Sequence, residues 1–332
     1  MIDIKNKLPN FFIVGLPKAG TTALYTFLKK HPEVYLPDVK EPYFFSRDFH
    51  NELDEFYKKK SPTYLRKKRK FPYRNFHDYE QLFSEVKNEK AIGEASVHYI
   101  FSEVAAELIH EFNPDSKIVI CLRNPVDFIR SWFQWNKYIF LAEGAEDLEE
   151  ALQLENKREQ GYPEKVLVPP VSHLRYLHTA KYSIHINRYI ELFPSKNIKI
   201  VLFEDFKKDS LGLVNDLFKF LEVDPEFDHR IEKVNKSFLP RSILLRRFLD
   251  SPPILWLRNL IKDRASTEQF KLLKKVYDSL FNKKDSKVEL SDELKTKIKK
   301  KLVEDVISTD RLLKRNNLID EERDLVSLWN FK

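Results

Sequence analysis

Gly15 and Gly20 enclose Leu16-Pro17-Lys18-Ala19, and Thr21-Thr22 follow directly. A short apolar run, Phe11 to Val14, leads in; Ala23, Leu24, Phe27 and Leu28 then recur at helical spacing. A strand that breaks at glycine and turns into a helix brings backbone N–H groups together at a helix N-terminus, where an anion binds. The spacing of the two glycines, with four residues between them, is that of a Walker A loop. The residue after the second glycine is Thr21, however, and the lysine is Lys18, inside the loop. The segment therefore reads as an anion cradle built from Lys18, Ala19, Gly20, Thr21, Thr22 and Ala23, with the ammonium supplied by the loop itself. A second apolar run, Lys117 to Leu122, ends in Arg123 where a Mg²⁺-dependent site needs a carboxylate. Ser131 lies eight residues beyond Arg123. The expectation is an anion cradle neutralised by Lys and Arg, with no metal.

The elements that must position these residues are legible too. Phe11 to Val14, Lys117 to Leu122 and Asn197 to Phe203 read as buried strands. Thr21 to Lys30 reads as a helix stopped by His31-Pro32, and Asn124-Pro125 as a helix start with Asn at the cap. Leu211 to Leu221 reads as a helix, as does Ser291 to Val306 with Leu294, Ile298, Leu302 and Val306 four apart. Strands separated by helices predict an α/β fold: a P-loop-like parallel sheet with helices on both faces. Arg130 is expected to be solvated, and the acid-rich stretch Glu143 to Glu164 to form a helix and an exposed loop. His173 and His178 are five apart and do not read as a metal site.

Composition narrows the class. The chain has 332 residues, 42% hydrophobic and 33% charged, enough apolar content for a core. Only six glycines occur, where average usage gives roughly 23; two of them bracket the loop. Lys plus Arg exceeds Asp plus Glu by 7, which fits an anionic ligand or surface. The single cysteine, Cys121, excludes an internal disulfide and a Cys-based zinc site. The longest uncharged runs are ten residues, against the roughly 20 that a spanning helix needs. The start, Met1 to Lys5, lacks a signal-peptide layout, so the expected location is cytoplasmic.

Pro17-Lys18-Ala19-Gly20-Thr21-Thr22 with Leu24 resembles the 5′-phosphosulfate loop of sulfotransferases that use 3′-phosphoadenosine 5′-phosphosulfate (PAPS). Arg123 to Ser131 is similar to the 3′-phosphate motif of that family. Lys40-Glu41-Pro42-Tyr43-Phe44-Phe45 resembles a segment of the heparan-sulfate-type, glycan-acting subgroup. Gly93 to Ser96, and Asn235-Lys236-Ser237 with Pro240-Arg241, resemble later family segments. The resemblance implies PAPS as donor and PAP as product, Glu41 as the base on the acceptor, and Lys236 and Arg241 near the 3′-phosphate. It also implies one domain over residues 1–332, with a core of about 10–242 and a C-terminal helical extension. His98 is the second candidate base, because the small-molecule subgroup uses a histidine. Pro42 is expected to hold Glu41 extended.

Two rival readings compete with this one. A P-loop kinase or NTPase conflicts with the position of Lys18 and with the missing carboxylate. A non-catalytic polyanion or nucleic-acid binder accounts for the basic charge and for the run Lys58 to Arg74, but not for the pairing of the Lys18 loop with Arg123 and Ser131. No nucleic-acid partner is expected. The apolar segment 243–262 admits contact with a membrane surface. The acceptor and the oligomeric state stay open.

Overall fold

The computed structural model describes residues 7–60, 73–227, 238–240, 282–284 and 288–332. Five strands form the main sheet: β1 (Phe11–Ile13), β2 (Val34–Tyr35), β3 (Ala91–Ala95), β4 (Lys117–Leu122) and β5 (Ile198–Leu202). Their order is β2-β3-β1-β4-β5, and every pairing is parallel. Buried on both faces, the strands are almost wholly apolar, as a covered parallel sheet requires. A short antiparallel pair, β6 (Phe238–Pro240) and β7 (Asn282–Lys284), stands apart.

Helices connect the parallel strands. The helix after β1, Thr21–Leu28, leads toward β2 and packs with Ser210–Phe220. Ala105–Phe112 packs on Tyr182–Leu192, and Pro125–Gln134 follows β4. β1 and β4 are neighbours whose connections leave in opposite directions. The carboxyl ends of such a pair frame the crevice in which open α/β sheets bind ligands. The Gly15–Gly20 loop leaves one strand there, and Arg123 leaves the other.

The predicted strands at β1, β4 and β5 and the helices after them are present. β3 had not been read as a strand, because Gly93 and Glu94 interrupt its apolar pattern. The C-terminal helix is longer than expected, Asp292–Arg315, and Ser291 caps it by accepting the Leu294 N–H. Ile298, Leu302, Val306 and Leu313 are buried against the 182–192 and 125–134 helices. Trp329 is fully buried beyond it, edge-on to Tyr182.

The acid-rich segment forms the helices Leu148–Gln153 and Glu155–Glu159 and an exposed stretch over 160–165, in line with expectation, and it adds a buried ion pair that the sequence does not announce. Glu143 and Arg158 are fully buried and paired through two hydrogen bonds of 2.7 and 2.8 Å. Tyr176 and the Ala145 N–H donate to the same carboxylate. Opposite charges and hydroxyl donors allow a charged pair to sit where solvent is excluded. Among the described residues no helix is long and apolar enough to cross a membrane.

Candidate active site

The loop after β1 is pressed onto β4. Val14 N–H donates to Val119 O at 3.0 Å and Leu16 N–H to Cys121 O at 2.9 Å. A Cβ on Gly15 would lie 1.9 Å from the Cys121 nitrogen, so only glycine permits this approach. The chain then reverses through Lys18 and Gly20, with φ of 65° and 84°. For lysine that conformation costs about 1–2 kcal/mol. An Arg123 Nη1–H donating to the Lys18 carbonyl at 2.9 Å helps hold it. Gly20 caps the following helix without a side-chain acceptor for its first N–H groups. The helix N-terminus therefore keeps donors for an anion in the loop.

Arg123 leaves β4 at the same end. Its guanidinium stacks over the Phe203 ring at 4.8 Å, and its carbonyl accepts the Tyr182 hydroxyl at 2.9 Å. Its Nε is buried and has no hydrogen-bond partner among the described residues. Burial pulls the Lys18 ammonium below its ordinary pKa, and the Arg123 charge adds to this. Burial likewise lowers Arg123. Among the described residues neither cation forms an ion pair. The Lys18 ammonium instead lies over the Trp135 ring, 4.6 Å from its centre.

Asn124 caps the next helix as its sequence predicts, accepting the N–H groups of Val126 and Asp127. Ser131 is half-buried on that helix, one turn before Trp135. Arg130 is not free in solvent: it is half-buried and pairs with Asp127 at 2.6 Å, its neighbour one turn back.

Glu41 sits beside the carboxyl end of β3. Its N–H donates to Ala95 O at 3.0 Å, and its Oε2 accepts the Val97 N–H at 3.0 Å. Lys40 Nζ donates to Oε1 at 2.6 Å. These anchors override the extended preference that Pro42 imposes: Glu41 has a φ of 63°, in the left-handed region. Burial raises the carboxyl, but Lys40 and the neighbouring His98 outweigh it, and Glu41 titrates below the usual range. Each oxygen keeps a lone pair for an incoming proton.

His98 faces the same carboxylate, its Nδ1 3.6 Å from Oε2. That nitrogen shares a 2.6 Å hydrogen bond with the Tyr43 hydroxyl. The ring stacks on His173 at 4.7 Å and leans on Trp132 at 5.3 Å. Burial, then His98, holds His173 well below its ordinary pKa.

The structure thus gathers the sequence candidates in two groups. Lys18, Ala19, Gly20, Thr21, Thr22 and Ala23 meet Arg123 across β1 and β4, with Ser131 on the helix behind. Glu41 and His98 meet at the end of β3, next to β1, where the Ile100 N–H binds Val14 O at 3.1 Å. Lys236 and Arg241 lie outside the described residues, as do most of the 58–74 run and segment 243–262. Sequence reasoning missed Trp135, Tyr43 and His173. The four-residue step from Ser131 to Trp135 could have flagged the first; nothing local marks His173 as a neighbour of His98. Among the described residues no cluster of three His, Cys, Asp or Glu could hold a metal ion.

Comparison with known proteins bears on this geometry. Residues 8–239 match the family described as "Sulfotransferase domain". The chain is 24% identical over 279 residues to carbohydrate sulfotransferase 15 of Mus musculus, covering 69% of the chain and 46% of that protein. It is 27% identical over 230 residues to bifunctional heparan sulfate N-deacetylase/N-sulfotransferase 4 of Mus musculus, covering 67% of the chain and 23% of that protein. The chain therefore spans less than half the length of these relatives. A crystal structure of a sulfotransferase from Alicyclobacillus acidocaldarius has the same fold, with a TM-score of 0.64 over 97% of this chain and 99% of that one, at 24% identity.

Proposed function

The chain belongs to the sulfotransferase domain family, and from that premise we propose that it transfers a sulfuryl group from PAPS to a hydroxyl or amine of a carbohydrate. One observation carries the reading. Two half-buried cations, Lys18 and Arg123, meet at the carboxyl ends of β1 and β4, and neither is ion-paired among the described residues. Such a pair fits an anionic ligand, and the orphaned Arg123 Nε supplies a donor still to be satisfied.

When bound, PAPS supplies an activated sulfuryl group and leaves as PAP. Backbone N–H groups from Lys18 to Thr22, with the Thr21 and Thr22 hydroxyls, would hold the 5′-phosphosulfate. Arg123 and Ser131 would hold the 3′-phosphate. Lys18 Nζ would neutralise charge on the phosphate oxygen of the leaving group, the charge stabilisation on which transfer of this kind depends. Glu41 would take the proton from the attacking acceptor oxygen or nitrogen. His98, held by Tyr43, would orient the Glu41 carboxylate. Lys236 and Arg241 are kept as further 3′-phosphate contacts from the resemblance alone. A carbohydrate acceptor draws support from the printed names of the relatives and from the Lys40–Phe45 segment.

The reading extends to one domain over residues 1–332. Support comes from the C-terminal helix packing on the core and from Asn124 Nδ2–H donating to the Trp329 carbonyl at 2.9 Å. It extends also to a cytoplasmic location, carried over from the sequence reading alone.

Isothermal titration with PAP, ATP and AMP tests donor identity. PAP should bind at least tenfold more tightly than ATP, because only its 3′-phosphate engages Arg123 and Ser131. Equal affinity for ATP would overturn the reading.

A further inference from the structure

Trp135 has no place in the chemistry above, yet it is the group against which the Lys18 ammonium rests, 4.6 Å from the ring centre. Its position is built. The helix that starts at Asn124 is α-helical to Gln134 and then widens into a π-helical turn, Trp135–Ile139. Single π turns inside helices recur at functional sites. Here the turn is tied down beyond the site. The Ala142 N–H donates to Asn136 O at 2.8 Å, and Lys137 Nζ donates to the Ala145 and Glu146 carbonyls. Asn136 Nδ2–H closes back on Trp132 O at 3.1 Å. One rigid element therefore carries Asn124 next to Arg123 at one end and Trp135 under Lys18 at the other.

Lys18 needs such a support. Its ammonium is partly desolvated, Arg123 repels it, and among the described residues no carboxylate pairs with it. An indole face attracts a cation and leaves the opposite side of the ammonium open to an anion.

We propose that Trp135 is a positioning residue for Lys18: its ring holds the ammonium charged and aimed at the phosphate loop. The proposal rests on the reading of Lys18 as a donor-site cation. The ring replaces a carboxylate for a reason. A carboxylate would neutralise Lys18 and repel the ligand, whereas an uncharged ring stabilises the charge without doing either. Among the described residues the charged group acting on Lys18 is Arg123, from the end of β4; the helix side presents the uncharged Trp135.

PAP binding needs no acceptor, so it reads this role directly. Titration calorimetry from about pH 7 to about pH 10 follows loss of the Lys18 charge, because the PAP phosphates are already ionised over that range. Tyr25 and Cys121 titrate near 12, beyond the window. Wild type should lose affinity at alkaline pH, and Lys18→Ala should flatten that loss. If wild type does not bind PAP, or Lys18→Ala leaves the alkaline loss intact, the donor-site reading of Lys18 fails, and the proposal with it. Given that control, Trp135→Leu should bind within about twofold of wild type near neutrality and roughly 3- to 30-fold more weakly near the alkaline end. Trp135→Phe, which keeps a ring face, should stay close to wild type throughout. An unmoved alkaline loss in Trp135→Leu would overturn the positioning role specifically. So would an equal shift in Trp135→Phe, or a Leu variant that fails to fold while the Phe variant folds and behaves like Lys18→Ala.

Discussion

Lys18 and Arg123 share one crevice but are asked for different things. Arg123 meets charge that is present in the bound ligand from the start, whereas Lys18 meets charge that grows as the sulfuryl group leaves. Interactions that strengthen only in the transition state appear in kcat. Arg123→Ala should therefore weaken PAP binding by about 1.5–3 kcal/mol, the range for hydrogen bonds to charged groups. Lys18→Ala should reduce turnover by a larger factor than it reduces affinity for the donor PAPS, in which that charge is not yet developed; the reverse pattern would exchange the two roles. Glu41 and His98 divide similarly. Glu41 carries the charge-stabilising contacts and the left-handed backbone, a strain that persists only where surrounding structure enforces it. Glu41→Gln should cost about 10²–10⁴ in turnover with PAP affinity unchanged. His98→Asn should cost less, since His98 is engaged by Tyr43 and stacked on His173. A silent Glu41→Gln with an inactive His98→Asn would move the base to the imidazole.

At the scale of elements, β3 shows what lies behind Glu41. Glu94 points from this strand into the core, fully buried, and accepts hydroxyl hydrogen bonds from Tyr79 at 3.0 Å and Tyr99 at 2.9 Å. Burial pushes its carboxyl up to about 7; bonds from Ser96, Tyr99 and Tyr79 oppose this, and the Glu41 charge reinforces it. The folded chain thus keeps a proton on Glu94 that the unfolded chain releases above about pH 4.5. Stability from this group is present below that pH and is lost as pH rises toward 7. The buried His50 and the half-buried His178, both held near 4, act in the opposite sense: their contribution is lost as pH falls below 6.5. Comparing Glu94→Gln with wild type isolates the carboxyl. Between about pH 5 and about pH 7.5, urea unfolding should show wild type losing roughly 2.4 kcal/mol relative to the variant. Parallel pH curves would contradict this assignment. The same strand marks where sequence reading stops. β1, β4 and the helix after Asn124 are local patterns of apolar runs, caps and glycine, and they were visible. β3 hides a glycine and a buried acid inside five residues. Glu143 and Arg158 pair across 15 positions. The left-handed turn at Glu41 depends on Ala95 and Val97, far along the chain. Such features are set by tertiary partners, which no local window contains.

Over the whole molecule, the sheet order brings together what the chain separates by more than a hundred residues. β1 stands at the centre, so its loop lies between β3, whose end carries the Glu41–His98 group, and β4, whose end carries Arg123. The C-terminal residues reinforce that centre. Trp329 packs on Tyr182, whose hydroxyl holds the Arg123 carbonyl, and the Trp329 carbonyl holds Asn124. Charge balance in the crevice comes from side chains, and the loop carries its own cation, so transfer should not depend on a divalent metal. The most direct test is transfer of label from sulfur-labelled PAPS to a pool of desulfated and partly sulfated glycans, run with and without EDTA and alongside Lys18→Ala. Label should reach glycan in both conditions with the wild-type chain and fall to background with Lys18→Ala. A requirement for Mg²⁺, or phosphate transfer from labelled ATP with no sulfate transfer, would contradict the account.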